Sequence, residues 1–131
     1  MLVGGIPHSV CHAMLSLCLI VLRVRDLETS RCFFEALGCK LVPEQHGQGP
    51  RHYSFSFGEL MVELFPALGK NTSDLRLGMR VGELSAVLAR VEGAGGVIVS
   101  RHQHTAIVKD PDGHTLELTA DESAELASIE Q

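Results

Sequence analysis

Residues 22–38, LRVRDLETSRCFFEALG, decide the fold. They read as the end of a strand that runs into a short helix and stops at a glycine. Asp26 is a residue type that accepts hydrogen bonds from a helix's first turn, and Leu27, Ser30, Phe33, Phe34 and Leu37 fall on one helical face. Gly38 is placed to end the helix in the left-handed conformation. The stretch returns 57 residues later as MRVGELSAVLARVEGAG, residues 79–95. Arg23 falls on Arg80, Val24 on Val81, Leu27 on Leu84, Glu35 on Glu92, Gly38 on Gly95 and Val42 on Val99. Later the offset becomes 54, placing Glu63 on Glu117 and Leu64 on Leu118. The three-residue difference is expected in the hairpin region, where loop length costs little. A repeat of this kind takes priority in reading a fold.

Outward from that stretch, a strand is expected over Leu15–Val24 and a short one over 39–43. The polar loop EQHGQG follows, then strands 52–57 and 60–65 joined at Gly58-Glu59. Residues 66–74 read as a linker. The second half gives a strand Leu75–Val81 and a helix with Leu84, Val87, Leu88 and Val91 on one stripe, closed by Gly93, Gly95 and Gly96. Strands at 97–100, 104–109 and 115–119 complete it, the last two joined by the turn Asp110-Pro111-Asp112-Gly113. Residues 1–13 read as a loose arm, and 121–131 as an acidic tail expected to form a short surface helix. Between them, 14–120 reads as a single domain of two modules, 14–65 and 75–120.

The bulk numbers narrow the function. The chain has 131 residues, 45% of them apolar, enough for a real core. A net charge of −5, with no Lys/Arg stripe, argues against nucleic acid. No run approaches the length needed to span a bilayer, and Met14–Leu22 has no basic segment before it, so no signal peptide is expected and the protein is read as cytoplasmic. Cys11, Cys18, Cys32 and Cys39 form no C-x-x-C pair and are expected to be reduced, mostly buried thiols.

The order βαβββ twice, the opening LRVRDLETSRCFFEALG, the strand LMVELF and the closing DPDGHTLELT resemble the vicinal oxygen chelate superfamily, which includes glyoxalase I, bleomycin-resistance proteins and extradiol dioxygenases. The resemblance covers about residues 15–120. It implies an α+β fold in which two tandem βαβββ modules form a cupped, half-open mixed sheet, helices outside and ligand in the concavity. It also implies a homodimer.

Strand alternation sorts the faces independently of the family. Ile20, Leu22 and Val24 are core, leaving Leu19, Val21 and Arg23 to the cup. Tyr53, Phe55 and Phe57 are core, with His52, Ser54 and Ser56 opposite; Leu60, Val62 and Leu64 are core, with Met61, Glu63 and Phe65 opposite. Leu75, Leu77, Met79 and Val81 face inward and Arg76, Gly78 and Arg80 the cup. Leu116 and Leu118 pack on a helix, turning Thr115, Glu117 and Thr119 away. In the seventh strand both His104/Ala106/Val108 and Thr105/Ile107/Lys109 remain open as the cup face.

Members of the superfamily that use a metal place ligands at positions the resemblance carries onto Leu19, Glu63, Arg76 and Glu117. Leu19 has no donor atom and Arg76 is a permanent cation, so no cofactor is expected, although Glu63 and Glu117 could still hold a divalent ion. Arg76 is instead expected to pair with one or both of Glu63 and Glu117, standing in for the ion. The candidate ligand-binding residues are Arg76, Arg23, Glu63, Glu117, His52 and His104. Arg76 or Arg23 would grip an anionic or carbonyl oxygen, and Glu63 or Glu117 could serve as a catalytic base. His8 and His12 are read as solvated, His46 as a loop residue and His114 as a surface residue. The leading reading is a small-molecule binder similar to the resistance proteins. The alternatives are a metal-dependent lyase, isomerase or dioxygenase using Glu63, Glu117 and a histidine from an unexpected strand, or a dimeric partner with a decayed pocket.

Overall fold

The computed structural model describes residues 16–121. The N-terminal arm with His8, Cys11 and His12, and all of the acidic tail beyond Asp121, lie outside the described residues. The order is β1 (Leu19–Val24), α1 (Leu27–Leu37), β2 (Val42–Glu44), β3 (His52–Phe57), β4 (Leu60–Pro66), β5 (Arg76–Val81), α2 (Leu84–Gly93), β6 (Val97–Arg101), β7 (Thr105–Lys109) and β8 (Thr115–Ala120). It is the expected pair of βαβββ modules, each an open four-stranded mixed sheet, ordered β1-β4-β3-β2 and β5-β8-β7-β6.

The repeat holds at the level of single hydrogen bonds. At the end of α1, Cys39 N–H donates to the Phe34 carbonyl at 3.0 Å, and after α2 Gly96 N–H donates to Val91 at 2.9 Å, the same bond 57 residues on. Gly38 and Gly95 both take positive φ (114° and 95°) to permit it. In the parallel pairs, Val21 stands opposite Glu63 and Gly78 opposite Glu117. The start of the helix differs: Asp26 accepts from Thr29 N–H at 2.9 Å, which holds its carboxyl below the usual range, whereas Glu83 makes no side-chain cap bond.

The change of offset arises elsewhere than expected. Residues 45–51 separate β2 from β3 but only 102–104 separate β6 from β7, so the first module's loop is four residues longer. The hairpin runs the other way, with 58–59 joining β3 to β4 and the longer 110–114 joining β7 to β8. A β-bulge in β6, between Ile98 and Ser100, adjusts the register.

The core is built as the alternation requires. Leu22, Val24, Phe33, Phe34, Leu64, Val91, Val108, Leu116 and Leu118 have no accessible surface. Ala106 and Val108 are buried, so the cup face of β7 is Thr105/Ile107/Lys109. Helix α1 packs on α2, and a Cβ on Gly96 would come within 2.7 Å of Phe33 Cε1 and 2.5 Å of Val91 Cγ1, so that position admits no side chain. Arg25 ties the modules again, donating from its main chain and Nε to Asp112 Oδ1 at 2.9 and 3.1 Å.

Four expectations need correcting. Phe57 is half exposed, because β3 runs past the core to its hairpin tip. Leu75 is also partly exposed, lying one residue before β5 begins. His114 is wholly buried: the 110–114 turn folds its ring back against Asp110, Nδ1 to Oδ2 at 2.6 Å. The described cysteines are free thiols but not mostly buried, since Cys18 and Cys32 are exposed and Cys39 is partly so. Burial pushes the Cys39 thiol up to about 12. No described helix is long and apolar enough to cross a membrane.

Candidate functional site

The concave faces of the two modules present different surfaces. On the first sheet a cavity of about 390 Å³ is lined by Val21 and Arg23 of β1, Glu63 and Phe65 of β4, Pro50, and Leu68 and Lys70 of the chain after β4. That volume lies within the range of small-molecule sites. Its wall is mostly apolar, with one carboxylate and two cations. The chain after β4 is fixed to β1 where it bounds this cavity: Ser73 Oγ accepts from Arg23 N–H at 2.6 Å, and Ser73 N–H donates to the Arg23 carbonyl at 3.1 Å.

Beside the cavity, His52 is 1% exposed although it starts a strand. Phe65 stacks on its ring, centroids 4.1 Å apart and planes 12° from parallel. Its Nδ1 lies 3.2 Å from the Pro50 carbonyl, an acceptor. Its Nε2 is buried without a hydrogen-bond partner among the described residues and lies 3.3 Å from Glu44 Oε1 and 3.8 Å from Glu63 Oε2. Glu44 pairs with His52 across the β2–β3 ladder, so both side chains leave the same face. His46, in the long loop, brings Nε2 to 3.8 Å from Glu44 Oε1. One donor atom from each of Glu44, His46, His52 and Glu63 lies within 4.8 Å of the others.

On the second sheet Arg76 Nε donates to Glu117 Oε2 in an ion pair whose partners are 60% and 50% exposed. Gly78, Met79, Arg80 and Thr119 complete a shallower recess there with Glu117, of about 320 Å³. His104 is exposed in the β6–β7 loop, where its carbonyl accepts from Ala120 N–H at 2.8 Å.

The sequence-predicted residues therefore fall into two groups. Arg23, Glu63 and His52 share the first sheet; Arg76 and Glu117 share the second, with His104 at its end. Arg76 takes Glu117 alone as its ion-pair partner among the described residues, and Glu63 has His52. Arg76 thus pairs with one of the two related carboxylates, Glu117, while Glu63 stands apart from it beside His52. Glu44 and His46 were missed. Glu44 lies one residue past the strand expected at 39–43, and extending that strand by one would have paired it with His52.

The superfamily's metal position does not fit these residues. Leu19 offers no donor and is 47% exposed, while the guanidinium of Arg76 occupies the Glu117 carboxylate. Nor do Asp110, Asp112 and His114 make an open site: Asp110 accepts from His114 N–H and Asp112 N–H, and Asp112 from Arg25.

Residues 12–118 match the family model described as Glyoxalase/Bleomycin resistance protein/Dioxygenase superfamily. No curated protein matches the chain. Among solved structures, TnmS3, an antibiotic binding protein from Streptomyces sp. CB03234, is similar at 24% identity and TM-score 0.62, over 82% of this chain and 97% of that one. The oxidase ChaP-H2 is similar at 18% identity and TM-score 0.64, over 82% and 94%. A protein from the mobile metagenome of V. Pseudocholerae reaches 26% identity and TM-score 0.59, over 81% and 94%.

Proposed function

The chain belongs to the Glyoxalase/Bleomycin resistance protein/Dioxygenase superfamily, and from that premise we propose that it binds a small, largely apolar molecule bearing an anionic or carbonyl group in the first-module cavity. The observation that carries this reading is the cavity's lining: Val21, Phe65 and Leu68 supply apolar wall, and Arg23 and Lys70 supply cationic donors. Arg23 is the anchor, because a guanidinium presents a planar fork to a carboxylate or carbonyl oxygen. The second-module recess, whose carboxylate is already paired with Arg76, serves as its counterpart wall.

The binding role is favoured over chemistry at the superfamily's metal position, since Leu19 and Arg76 do not supply that ligand set. The antibiotic-binding neighbour TnmS3 supports including antibiotics in the test set. A second copy is expected to close each cup, because Leu17, Leu19 and Val21 leave an apolar strip exposed along β1. This predicts a homodimer by sedimentation equilibrium.

Thermal-shift screening against aromatic carboxylates and antibiotics tests the binding. A stabilising ligand should lose most of its shift in Arg23→Ala while keeping it in Arg90→Ala, which lies on α2. An equal shift in both variants would remove the anchor.

A further inference from the structure

Independently of what fills the cavity, we propose that the first module holds a divalent transition-metal ion of the zinc class on Glu44, His46, His52 and Glu63, away from the superfamily's metal position. Of these four, only Glu63 belongs to the set that the resemblance implied.

The argument starts from His52. Its Nδ1 is turned to the Pro50 carbonyl, which leaves Nε2 as the atom open to a ligand. That nitrogen is buried with no hydrogen-bond partner among the described residues, and two carboxylate oxygens lie 3.3 and 3.8 Å away, off the line of a hydrogen bond. A buried polar atom left without a bond is unfavourable. A cation among these groups would bond to each of them.

The spacing suits this. Around a zinc ion with bonds of about 2.0–2.1 Å, tetrahedral donors stand about 3.3–3.4 Å apart. Three of the six donor separations are 3.3, 3.8 and 3.8 Å and the others lie within 4.8 Å, so side-chain adjustments of up to about 1.5 Å complete the shell. Two imidazoles and two carboxylates neutralise a dication and form the nitrogen–oxygen set that suits zinc, cobalt or nickel better than calcium or magnesium. The supports around them are also those of a ligating histidine: a carbonyl on the other ring nitrogen and Phe65 stacked on the ring.

The second module serves as an internal control. At the 57-residue offset Glu44 becomes Arg101, and the short 102–104 connection has no room for a counterpart of the loop that carries His46. Only Glu63 keeps its acid, as Glu117, and there Arg76 neutralises it.

The test uses full-length protein without added histidines, stripped with chelator and titrated with Zn²⁺ by calorimetry and with Co²⁺ by visible absorption. One ion per chain is expected, with Co²⁺ bands typical of nitrogen–oxygen coordination. His52→Phe, which keeps the stacking on Phe65, should abolish binding. Glu44→Gln, the mildest change, should weaken it at least about tenfold, and Glu92→Gln on α2 should leave it unchanged. Absence of stoichiometric uptake by the wild type overturns the proposal, as does uptake that survives both His52→Phe and Glu44→Gln. Titration of His52 by NMR with no metal uptake would assign the group to a buried imidazolium–carboxylate pair instead and would equally overturn it.

Discussion

Val21 opposite Glu63 and Gly78 opposite Glu117 are the same two places of a repeated unit, yet the two carboxylates are in different company. Glu63 is mostly buried beside a histidine that has no hydrogen-bond partner at its inner nitrogen, whereas Glu117 is half exposed and joined to Arg76. The skeletons agree down to the bonds that close the helices, so the backbone does not cause the difference. A loop four residues longer and a few side-chain identities do: Glu44 against Arg101, and His46 on an insertion the second half lacks. Duplication fixes where a carboxylate stands. Whether it is available for ligands is decided by what the loops bring beside it.

That contrast can be broken most severely at the contact the halves share. Phe33, wholly buried against α2 beside Gly96, should cost about 3–5 kcal/mol when truncated to Ala. Urea denaturation should show both modules lost in one transition. Separate transitions would mean that the halves are energetically independent.

A smaller effect should come from His114, whose turn has no counterpart in the first half. Burial pulls its pKa down, but the hydrogen bond and charge of Asp110, aided by Asp112 and Asp74, more than offset this and hold it above the ordinary imidazole value. The folded state then binds the proton more tightly than the unfolded chain. Its contribution is present in full below about pH 6.5 and is lost as pH rises through the raised folded value. Denaturation midpoints should fall over that window in the wild type. They should stay flatter in His114→Gln, which should itself be destabilised by about 3 kcal/mol at pH 6.

The smallest effect belongs to the exposed pair. A double-mutant cycle on Arg76→Gln and Glu117→Gln should give a coupling of about 0.2–1 kcal/mol, shrinking with salt. A larger, salt-insensitive coupling would mean that the second face is desolvated in solution, as a dimer would make it.

Much of the fold was legible because its determinants are local. The Asp26 cap, the glycines at 38 and 95, and the alternation that buries Leu22, Val24, Leu116 and Leu118 all act over a few residues. The site was legible only in part. Alternation correctly turned Glu63, Glu117, Arg76 and His52 to one kind of face, but facing does not reveal neighbours. The Glu44–His52 pairing depends on a ladder one residue longer than the polar sequence suggested. His114 was assigned to the surface because turns are usually exposed, and its burial depends on the Asp110 carboxylate that receives it. Cys32 was expected among mostly buried thiols from its residue type, yet it lies off the apolar face of α1 and is exposed, where Arg31 reaches its sulfur.

Gly96 has a consequence of another kind. With Phe33, Val91 and the Val91 carbonyl all inside 3.0 Å of where a methyl would go, a hydrogen atom sets the gauge between the two helices. An alanine there would meet Val91 of its own helix as well as Phe33 of α1, so parting the helices would relieve only one of the clashes. The end of α2 would have to unwind too, so the bare backbone at 96 serves the helix ending and the seam between the halves at once.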